Sequence, residues 1–188
     1  IKGFPMENYL QQGKHDILED QILFISAQTR VPERFIRHVA AKDYCNEEEM
    51  FWIKSSKKNI ANGNLGMILC GYHPKLQNKL LAIGATLIRN YVDARVYSLS
   101  EILQLLDSKY DEPPDCTVLI IPDLCVADYV IPKAQIHKLT GYLYKRFTAQ
   151  KAMIAYVDNL DLLSANYGRA MLDHLLNNYQ IFSTDLHT

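Results

Sequence analysis

One short segment restricts the fold of this chain more than any other. It is the run T-V-L-I-I at residues 117–121, which is β-branched and apolar on both of its faces. A strand of this kind must be covered on both sides, as happens for a central strand of a parallel sheet. The pair Pro113-Pro114 ends any helix that comes before it. We therefore expect this strand to lie in the middle of a parallel sheet.

Short apolar runs alternate with helical patterns from Leu65 onward, which is typical of a parallel α/β sheet. The predicted strands are residues 66–71, 94–99, 117–121, 152–157 and 180–182. The predicted helices are residues 76–91, a short helix that begins with the capping box Ser98 and Glu101, residues 136–147 and residues 168–178. Right-handed crossovers place helices on both faces, so we predict a three-layer α/β/α sandwich with a five-stranded parallel sheet.

Two further helical patterns, at residues 15–28 and 46–62, come before the first predicted strand. We expect residues 1–30 to form an N-terminal helical segment and residues 31–188 to form the α/β domain. The N-terminal segment carries an apolar stripe, formed by Ile17, Leu18, Ile22 and Ile25. Such a stripe either docks on a partner or belongs to the protein core.

Composition excludes several classes of protein. The 188 residues carry a net charge of -1, so the total charge points to no partner and the chain is not of the disordered type. No apolar stretch has the roughly 20 residues of a membrane span, and no signal peptide is recognisable, so we expect a cytoplasmic protein. The four cysteines lack C-x-x-C spacing, and no metal site is expected. The first residue is Ile1, which is typical of a trimmed chain.

The turn after the first predicted strand reads G-Y-H-P-K-L-Q-N-K from Gly71. In a parallel α/β sheet, this is the turn where a phosphate would bind. A working phosphate loop, G-x-x-x-x-G-K-[ST], uses glycines to form a cradle of backbone N–H groups, a lysine for the phosphates and a hydroxyl for Mg²⁺. Alignment on Gly71 puts Leu76, Gln77 and Asn78 at the second glycine, the lysine and the hydroxyl. With Pro74 removing a further backbone donor, we predict a non-functional phosphate loop.

Three nearby residues leave an alternative open. Lys75 or Lys79 could reach a phosphate as a point charge, although a lysine beside a helix start is more often solvated. A Mg²⁺ site would also need an acidic residue directly after the central strand, where the sequence reads Pro122-Asp123. Asp123 is either the remainder of an acidic pair or a turn residue or helix cap.

Several segments carry a resemblance to a known family through their order and spacing. They are V-P-E-R-F from Val31, N-K-L-L-A-I-G-A-T-L-I-R from Asn78, Y-S-L-S-E from Tyr97, V-L-I-I-P-D-L from Val118, L-Y-K-R-F from Leu143, residues 153–159 and G-R-A-M-L-D-H-L from Gly168. Together they resemble the AAA+ domain of the bacterial replicative helicase loaders, of the DnaC and DnaI type, with the related transposase helper IstB. The resemblance implies an ATP- and Mg²⁺-binding fold whose phosphate-sensing polar residue would be Asp158 or Asn159.

The departures from this family concern its nucleotide chemistry. The two arginines of the family's G-x-R-x-x-x-R-L segment fall on Ala170 and His174, and Arg169 is one position out of register. One position on a helix rotates a side chain by about 100°. The phosphate lysine, a metal-binding acid and the trans-acting arginine are therefore all missing, so we expect no ATPase activity and no cofactor. The residues kept as a vestigial nucleotide site are Gly71, Lys75, Gln77, Asn78, Lys79, Asp123 and Asn159.

Three functions are compatible with this pattern. The first is a non-catalytic replication adaptor that binds a replicative helicase or helicase loader, with single-stranded DNA as a further ligand. The second is a residual ATP- and Mg²⁺-dependent AAA+ helicase loader. The third is a regulator that blocks a competent AAA+ partner within a homo- or hetero-oligomer. The candidate DNA-binding cations, which a solvated helix surface would equally explain, are Lys54, Lys57, Lys58, Lys138, Lys145, Arg146 and Lys151, with Tyr142, Tyr144 and Phe147 between them for base stacking.

Overall fold

A five-stranded parallel sheet forms the centre of the computed structural model, which describes residues 7–183. The strands are β1 (Gly66–Cys70), β2 (Ala94–Val96), β3 (Val118–Cys125), β4 (Ala152–Val157) and β5 (Gln180–Ser183). They lie side by side in the order β2-β3-β4-β1-β5, and every neighbouring pair is parallel. The predicted class, a parallel α/β sandwich, is confirmed.

Helices connect the strands and also precede them. Before the sheet come α1 (Asp16–Asp20), α2 (Ile22–Thr29), α3 (Glu33–His38), a 3₁₀ turn (Ala41–Asp43), α4 (Glu47–Lys54) and α5 (Ser56–Ala61). Between the strands come α6 (Leu76–Arg89), α7 (Leu99–Asp107), α8 (Lys133–Thr148), α9 (Leu160–Tyr167) and α10 (Arg169–Asn178). Within residues 7–183, none of these helices has the length and apolarity needed to cross a membrane.

The side chains of the sheet alternate between two buried layers. Met67 and Ile120 belong to one apolar cluster, together with α6 and residues of the N-terminal helices. Ile68 and Leu119 belong to the other, together with residues of α7 to α10. Alternation of this kind requires cover on both faces, as the sequence of the central strand predicts.

The first strand passes unusually close to its neighbour at Gly66. This glycine has a φ of 130°, and a Cβ at its position would lie 1.9 Å from the carbonyl oxygen of Met153 in β4. Any other residue would therefore clash with backbone, and the close pairing of β1 with β4 depends on glycine here.

Three elements differ from the sequence-based expectation. The third strand continues through Pro122 and Asp123 to Cys125, with an irregularity in its pairing to β4 after Ile121. The helical pattern at residues 46–62 divides into α4 and α5, and α9 was not predicted. The extension of β3 concerns an element end, where local patterns are weakest, whereas the break at Ser55 lies inside the predicted helix and α9 is a complete additional helix.

The N-terminal apolar stripe is internal rather than exposed. Leu18 and Ile22 are buried and Ile25 packs partly buried against the same cluster, so three of the four stripe residues belong to the core. Ile17 is the exception at 66% exposure. Two residues outside the predicted stripe, Leu23 and Phe24, are exposed as well. Of the predicted N-terminal and α/β segments, residues 1–6 and 184–188 lie outside the described part of the chain.

Candidate functional site

The turn that corresponds to a phosphate loop joins β1 to α6 at the carboxyl edge of the sheet. Gly71 has a positive φ of 99°, and its N–H donates to the carbonyl of Val157 at the end of β4. Helix α6 begins at Leu76, the position where a phosphate loop has its second glycine. Gln77, at the position of the phosphate lysine, is exposed on the first turn. Leu76 therefore places a side chain at a position where a phosphate loop has a glycine and exposes its backbone.

The environment of Lys79 differs from the expectation of an exposed, solvated lysine. Its side chain is only 4% exposed, and its Nζ lies 2.6 Å from Oε1 of Glu49 in α4, which is 0% exposed. This buried ion pair joins the N-terminal helices to the first turns of α6. The interpretation of Lys79 as a solvated lysine is therefore wrong, whereas Lys75 is exposed.

Glu49 has a second role at the start of its own helix. Its Oε2 accepts a hydrogen bond of 2.9 Å from the backbone N–H of Asn46, and the Asn46 side chain accepts one from the N–H of Glu49. This reciprocal capping box fixes the carboxylate while Lys79 neutralises it. Both oxygens of Glu49 are therefore engaged, as a buried carboxylate requires.

Two residues near the Glu49–Lys79 pair have pKa values that are shifted by their own burial and by the charges of the pair. Burial raises the pKa of the Cys45 thiol to about 12, and the nearby carboxylate of Glu49 acts in the same direction. Burial lowers the pKa of His73, which lies in the turn, and the positive charge of Lys79 lowers it further. Both Cys45 and His73 are therefore neutral near pH 7.

Sequence reasoning did not identify Glu49 as part of this site. The local signal was present, because Asn46 and Glu49 have the spacing of a capping box. The missing information was the distance of 30 positions between Glu49 and Lys79 in the chain. Only the packing of α4 against α6 brings the two together.

Asp123 serves as a helix cap. Its Oδ1 accepts a 2.7 Å hydrogen bond from the backbone N–H of Leu99, the first residue of α7, and burial raises the pKa of the carboxyl group. Helix α7 follows β2, which is the edge strand on the side of the sheet away from β5. Two strands, β3 and β4, separate β2 from β1. Of the two interpretations left open by the sequence, the hydrogen bond matches the cap.

The polar residues that follow β4 also hold backbone. Asp158 accepts hydrogen bonds from the N–H of Ala127 at 2.6 Å and from the hydroxyl of Tyr156 at 2.9 Å. Asn159 caps α9, where its Oδ1 accepts from the N–H of Leu162 at 2.7 Å. These bonds give both candidates for a phosphate-sensing residue a role in fixing the loop.

The positions of the family arginines lie on α10. Ala170 is exposed, and Arg169 is exposed as well, with its guanidinium 3.8 Å from Asp173 one turn later. His174 packs between Tyr144 at 4.4 Å and Phe147 at 4.8 Å between ring centroids. Burial lowers the pKa of His174, so its ring is a neutral part of an aromatic cluster.

The candidate DNA-binding cations divide into engaged and exposed groups. Arg146 is 4% exposed and donates to three backbone carbonyls, so its assignment to a DNA surface is wrong. Lys138 is paired with Asp107 at 2.5 Å, and Lys151 is paired with Asp115. The exposed cations for which no ion pair is found within residues 7–183 are Lys54, Lys57, Lys58 and Lys145.

The aromatic residues predicted between these cations also have internal contacts. The Tyr142 hydroxyl donates to the Pro114 carbonyl at 2.8 Å, and Tyr144 and Phe147 contact the ring of His174. Each of these three rings therefore has at least one contact inside the protein. In the described part of the chain, no group of three or more His, Cys, Asp or Glu residues is placed to hold a metal ion.

Comparison with solved structures identifies the fold class. AMPPCP-bound DnaA from Aquifex aeolicus superposes with a TM-score of 0.60 at 10% identity, over 83% of this chain and 51% of that one. The DnaC helicase loader gives a TM-score of 0.59 at 11% identity, over 78% and 97% of the two chains. DnaI gives 0.54 at 12% identity, over 81% and 92%. The chain thus spans about half the DnaA structure but nearly all of the two others.

These values define the class at the level of fold. The chain has a parallel α/β fold that is similar to the folds of the DnaC helicase loader, of DnaI and of DnaA. No protein-family model matches the sequence. No curated protein matches it by sequence either.

The buried ion pair leads to a stability prediction. Lys79→Met leaves the Glu49 carboxylate buried without a counter-ion, and we expect it to lower the free energy of unfolding by about 3–5 kcal/mol. Glu49→Gln combined with Lys79→Met removes both charges and keeps an acceptor for Asn46, so the double variant should be clearly more stable than Lys79→Met alone. Urea denaturation of the four proteins of this cycle measures the coupling.

Lys75→Met is the matched control, because this exposed lysine lies in the same turn. We expect it to change the unfolding free energy by no more than about 0.5 kcal/mol. If Lys79→Met costs no more than Lys75→Met, or if the effects of the double cycle simply add, the two charges do not form a buried pair.

Proposed function

We propose that this chain is a non-catalytic adaptor of DNA replication that binds a replicative helicase or a helicase loader and does not turn over ATP. The observation that carries the proposal is the Glu49–Lys79 pair. The one buried lysine of the β1–α6 turn is committed to an internal carboxylate. It is not available to neutralise a phosphate in this conformation.

The chemistry around the pair supports the same conclusion. A triphosphate at the start of α6 would bring its negative charge close to the fully buried Glu49, and like charges at low dielectric repel strongly. Asp123 and Asn159, the other corners of an NTPase site, cap helices α7 and α9. Lys79, Asp123 and Asn159, three of the residues that could have contacted nucleotide, thus have partners inside the protein.

The helicase-directed part of the proposal rests on the structural neighbours and on one surface. DnaC is a helicase loader, and the chain covers nearly all of that structure. On α1 and α2 the apolar side chains of Ile17, Leu23 and Phe24 are between 66% and 73% exposed. Exposed large apolar residues near one another in sequence are typical of a helix that docks on a partner.

An ATP titration tests the catalytic part. Calorimetric titration with ATP and Mg²⁺ should give no saturable binding at the β1–α6 turn, because that turn lacks the glycine cradle and its lysine is paired. The variant Glu49→Gln releases Lys79 from its counter-ion and should also fail to hydrolyse ATP. Micromolar binding that Lys75→Ala weakens, or ATP hydrolysis by either protein, would establish the residual ATPase instead.

A binding experiment with purified helicase and loader tests the adaptor part. We expect the wild-type chain to form a stable complex with one of them, and Leu23→Ser/Phe24→Ser to weaken it at least tenfold, since about 1.4 kcal/mol of lost apolar contact is enough. The unfolding free energy should stay unchanged, because both side chains are already exposed. The matched control is Phe51→Ser, an equally exposed aromatic on α4.

The result also separates the adaptor from a blocking regulator. A complex that leaves helicase loading intact or promotes it agrees with the adaptor. Stoichiometric inhibition of a competent loader identifies the regulator. Failure to bind either purified protein would contradict the proposal.

A single-stranded DNA titration tests the remaining cations. Lys54, Lys57 and Lys58 are exposed on α4 and α5, so they could supply only a modest salt-dependent term. If the chain contacts DNA, Lys57→Ala/Lys58→Ala should weaken binding and reduce its salt dependence by about two phosphate contacts. Lys138→Ala, whose lysine is paired with Asp107, is the control and should have less effect. Equal effects of the two variants would exclude α5 as the DNA surface.

A further inference from the structure

A second candidate site lies at the amino ends of the strands, where β3 and β4 begin, and therefore at the other end of the sheet from the β1–α6 turn. A cavity of about 480 Å³ opens there between the segment that precedes β3 and the last turns of α8. Its lining residues are Glu112, Pro113, Pro114, Asp115, Tyr142, Lys145, Arg146, Ala149 and Lys151. The volume is within the range of small-molecule sites, which run from about 300 to 1,000 Å³.

Arg146 forms the buried wall of this cavity and is incompletely satisfied. Its two terminal nitrogens donate to the carbonyls of Pro114, Cys116 and Ala152 at 3.0–3.1 Å. Its Nε is buried and has no hydrogen-bond partner among residues 7–183. No carboxylate of that part of the chain forms an ion pair with it. A buried guanidinium thus keeps its full positive charge next to an open cavity, which an anion would stabilise.

Two lysines add to the charge at the mouth. Lys145 is exposed with no ion pair found in the described chain, and Lys151 is paired with Asp115, which is itself 81% exposed. Three cations and two carboxylates therefore line the cavity, and the buried charge among them is positive. An anion that enters can displace the exposed Asp115 from Lys151 at little cost, because such surface pairs contribute only about 0–1 kcal/mol.

Tyr142 supplies a fixed aromatic surface beside these cations. Its hydroxyl donates to the Pro114 carbonyl, and burial raises its pKa to about 12, so the ring is neutral and held in place. Pro113 and Pro114 also line the cavity and add apolar surface to it. The lining of the cavity thus combines cationic groups with apolar and aromatic surface.

We propose that this cavity binds the phosphate group of a phosphorylated small molecule with a planar ring, such as a nucleoside monophosphate. Lys145 and Lys151 contact the phosphate, Arg146 provides the buried positive charge and Tyr142 packs against the ring. A 5′-terminal phosphate of a nucleic acid has the same chemistry, and the second arm of the experiment distinguishes the two sources. The site is separate from the β1–α6 turn and does not depend on the absence of nucleotide there.

Calorimetric titrations of the full chain with inorganic phosphate and AMP test the site, and adenosine serves as the uncharged comparison. AMP should bind more tightly than phosphate, and adenosine should bind least. Lys145→Ala and Lys151→Ala should each weaken AMP binding about tenfold, as expected for loss of one charge-assisted contact. The control Lys133→Ala removes an exposed lysine at the first residue of α8, at the other end of that helix from the cavity, and should leave AMP binding unchanged.

A second arm separates the two sources of phosphate with an oligonucleotide that does or does not carry a 5′-phosphate. Tighter binding of the 5′-phosphorylated oligonucleotide than of AMP assigns the site to nucleic-acid ends, and the reverse assigns it to small molecules; both support a phosphate site. Absence of saturable binding by every probe overturns the proposal, as does binding that Lys145→Ala and Lys151→Ala leave unchanged. If Lys145→Ala abolishes ATP binding and Lys75→Ala leaves it unchanged, the ATP is bound in this cavity. Such a result leaves the adaptor proposal intact.

Discussion

The handedness of parallel crossovers governs the rest of this structure. From β1 the chain crosses two strands to reach β2 at one edge, and every later connection returns in the opposite direction towards β5. Because parallel crossovers are right-handed, the first connection places α6 on one face and the later ones place α7 to α10 on the other. One face therefore receives a single crossover helix, although the central strands are apolar on both sides.

The N-terminal helices supply the cover that this arrangement leaves out. Leu18, Phe35 and Trp52, from three different helices, lie in the same apolar cluster as α6. Two buried cations of α6 fix them there. Lys79 pairs with Glu49 of α4, and Arg89 donates to the carbonyls of Phe35, Ile36 and Val39 near the end of α3. Burial lowers the pKa of Arg89 to about 10, which still leaves it charged at neutral pH.

Sequence patterns predicted the sheet well because its signals are local. Residues 66–70, 118–121 and 152–157 are short apolar runs, and the Ser98–Glu101 capping box begins α7 as predicted. The candidate site was harder to predict, because its decisive contacts join distant positions. Nothing local to Lys79 indicates a partner at Glu49, and nothing local to Arg146 indicates that it turns inward to bind the carbonyls around β3. Long amphipathic cations are therefore the residues for which spacing alone is least informative.

The polar residues at the carboxyl ends of the strands share one physical constraint. A nucleotide site keeps its lysine, acid and polar sensor unpaired within the protein, and the ligand and metal satisfy them. Without that ligand, such groups must find internal partners or be solvated. Here Lys79 has Glu49, Asp123 has the N–H of Leu99, and Asn159 has the N–H of Leu162. On the adaptor proposal, glycine at Leu76 and lysine at Gln77 would therefore not be sufficient to create a nucleotide site, because the Glu49–Lys79 pair would still occupy the start of α6. The contacts of Lys79 reach beyond the turn into α4, where the same Glu49 carboxylate caps the helix, so the start of α6 and the start of α4 are linked through one side chain.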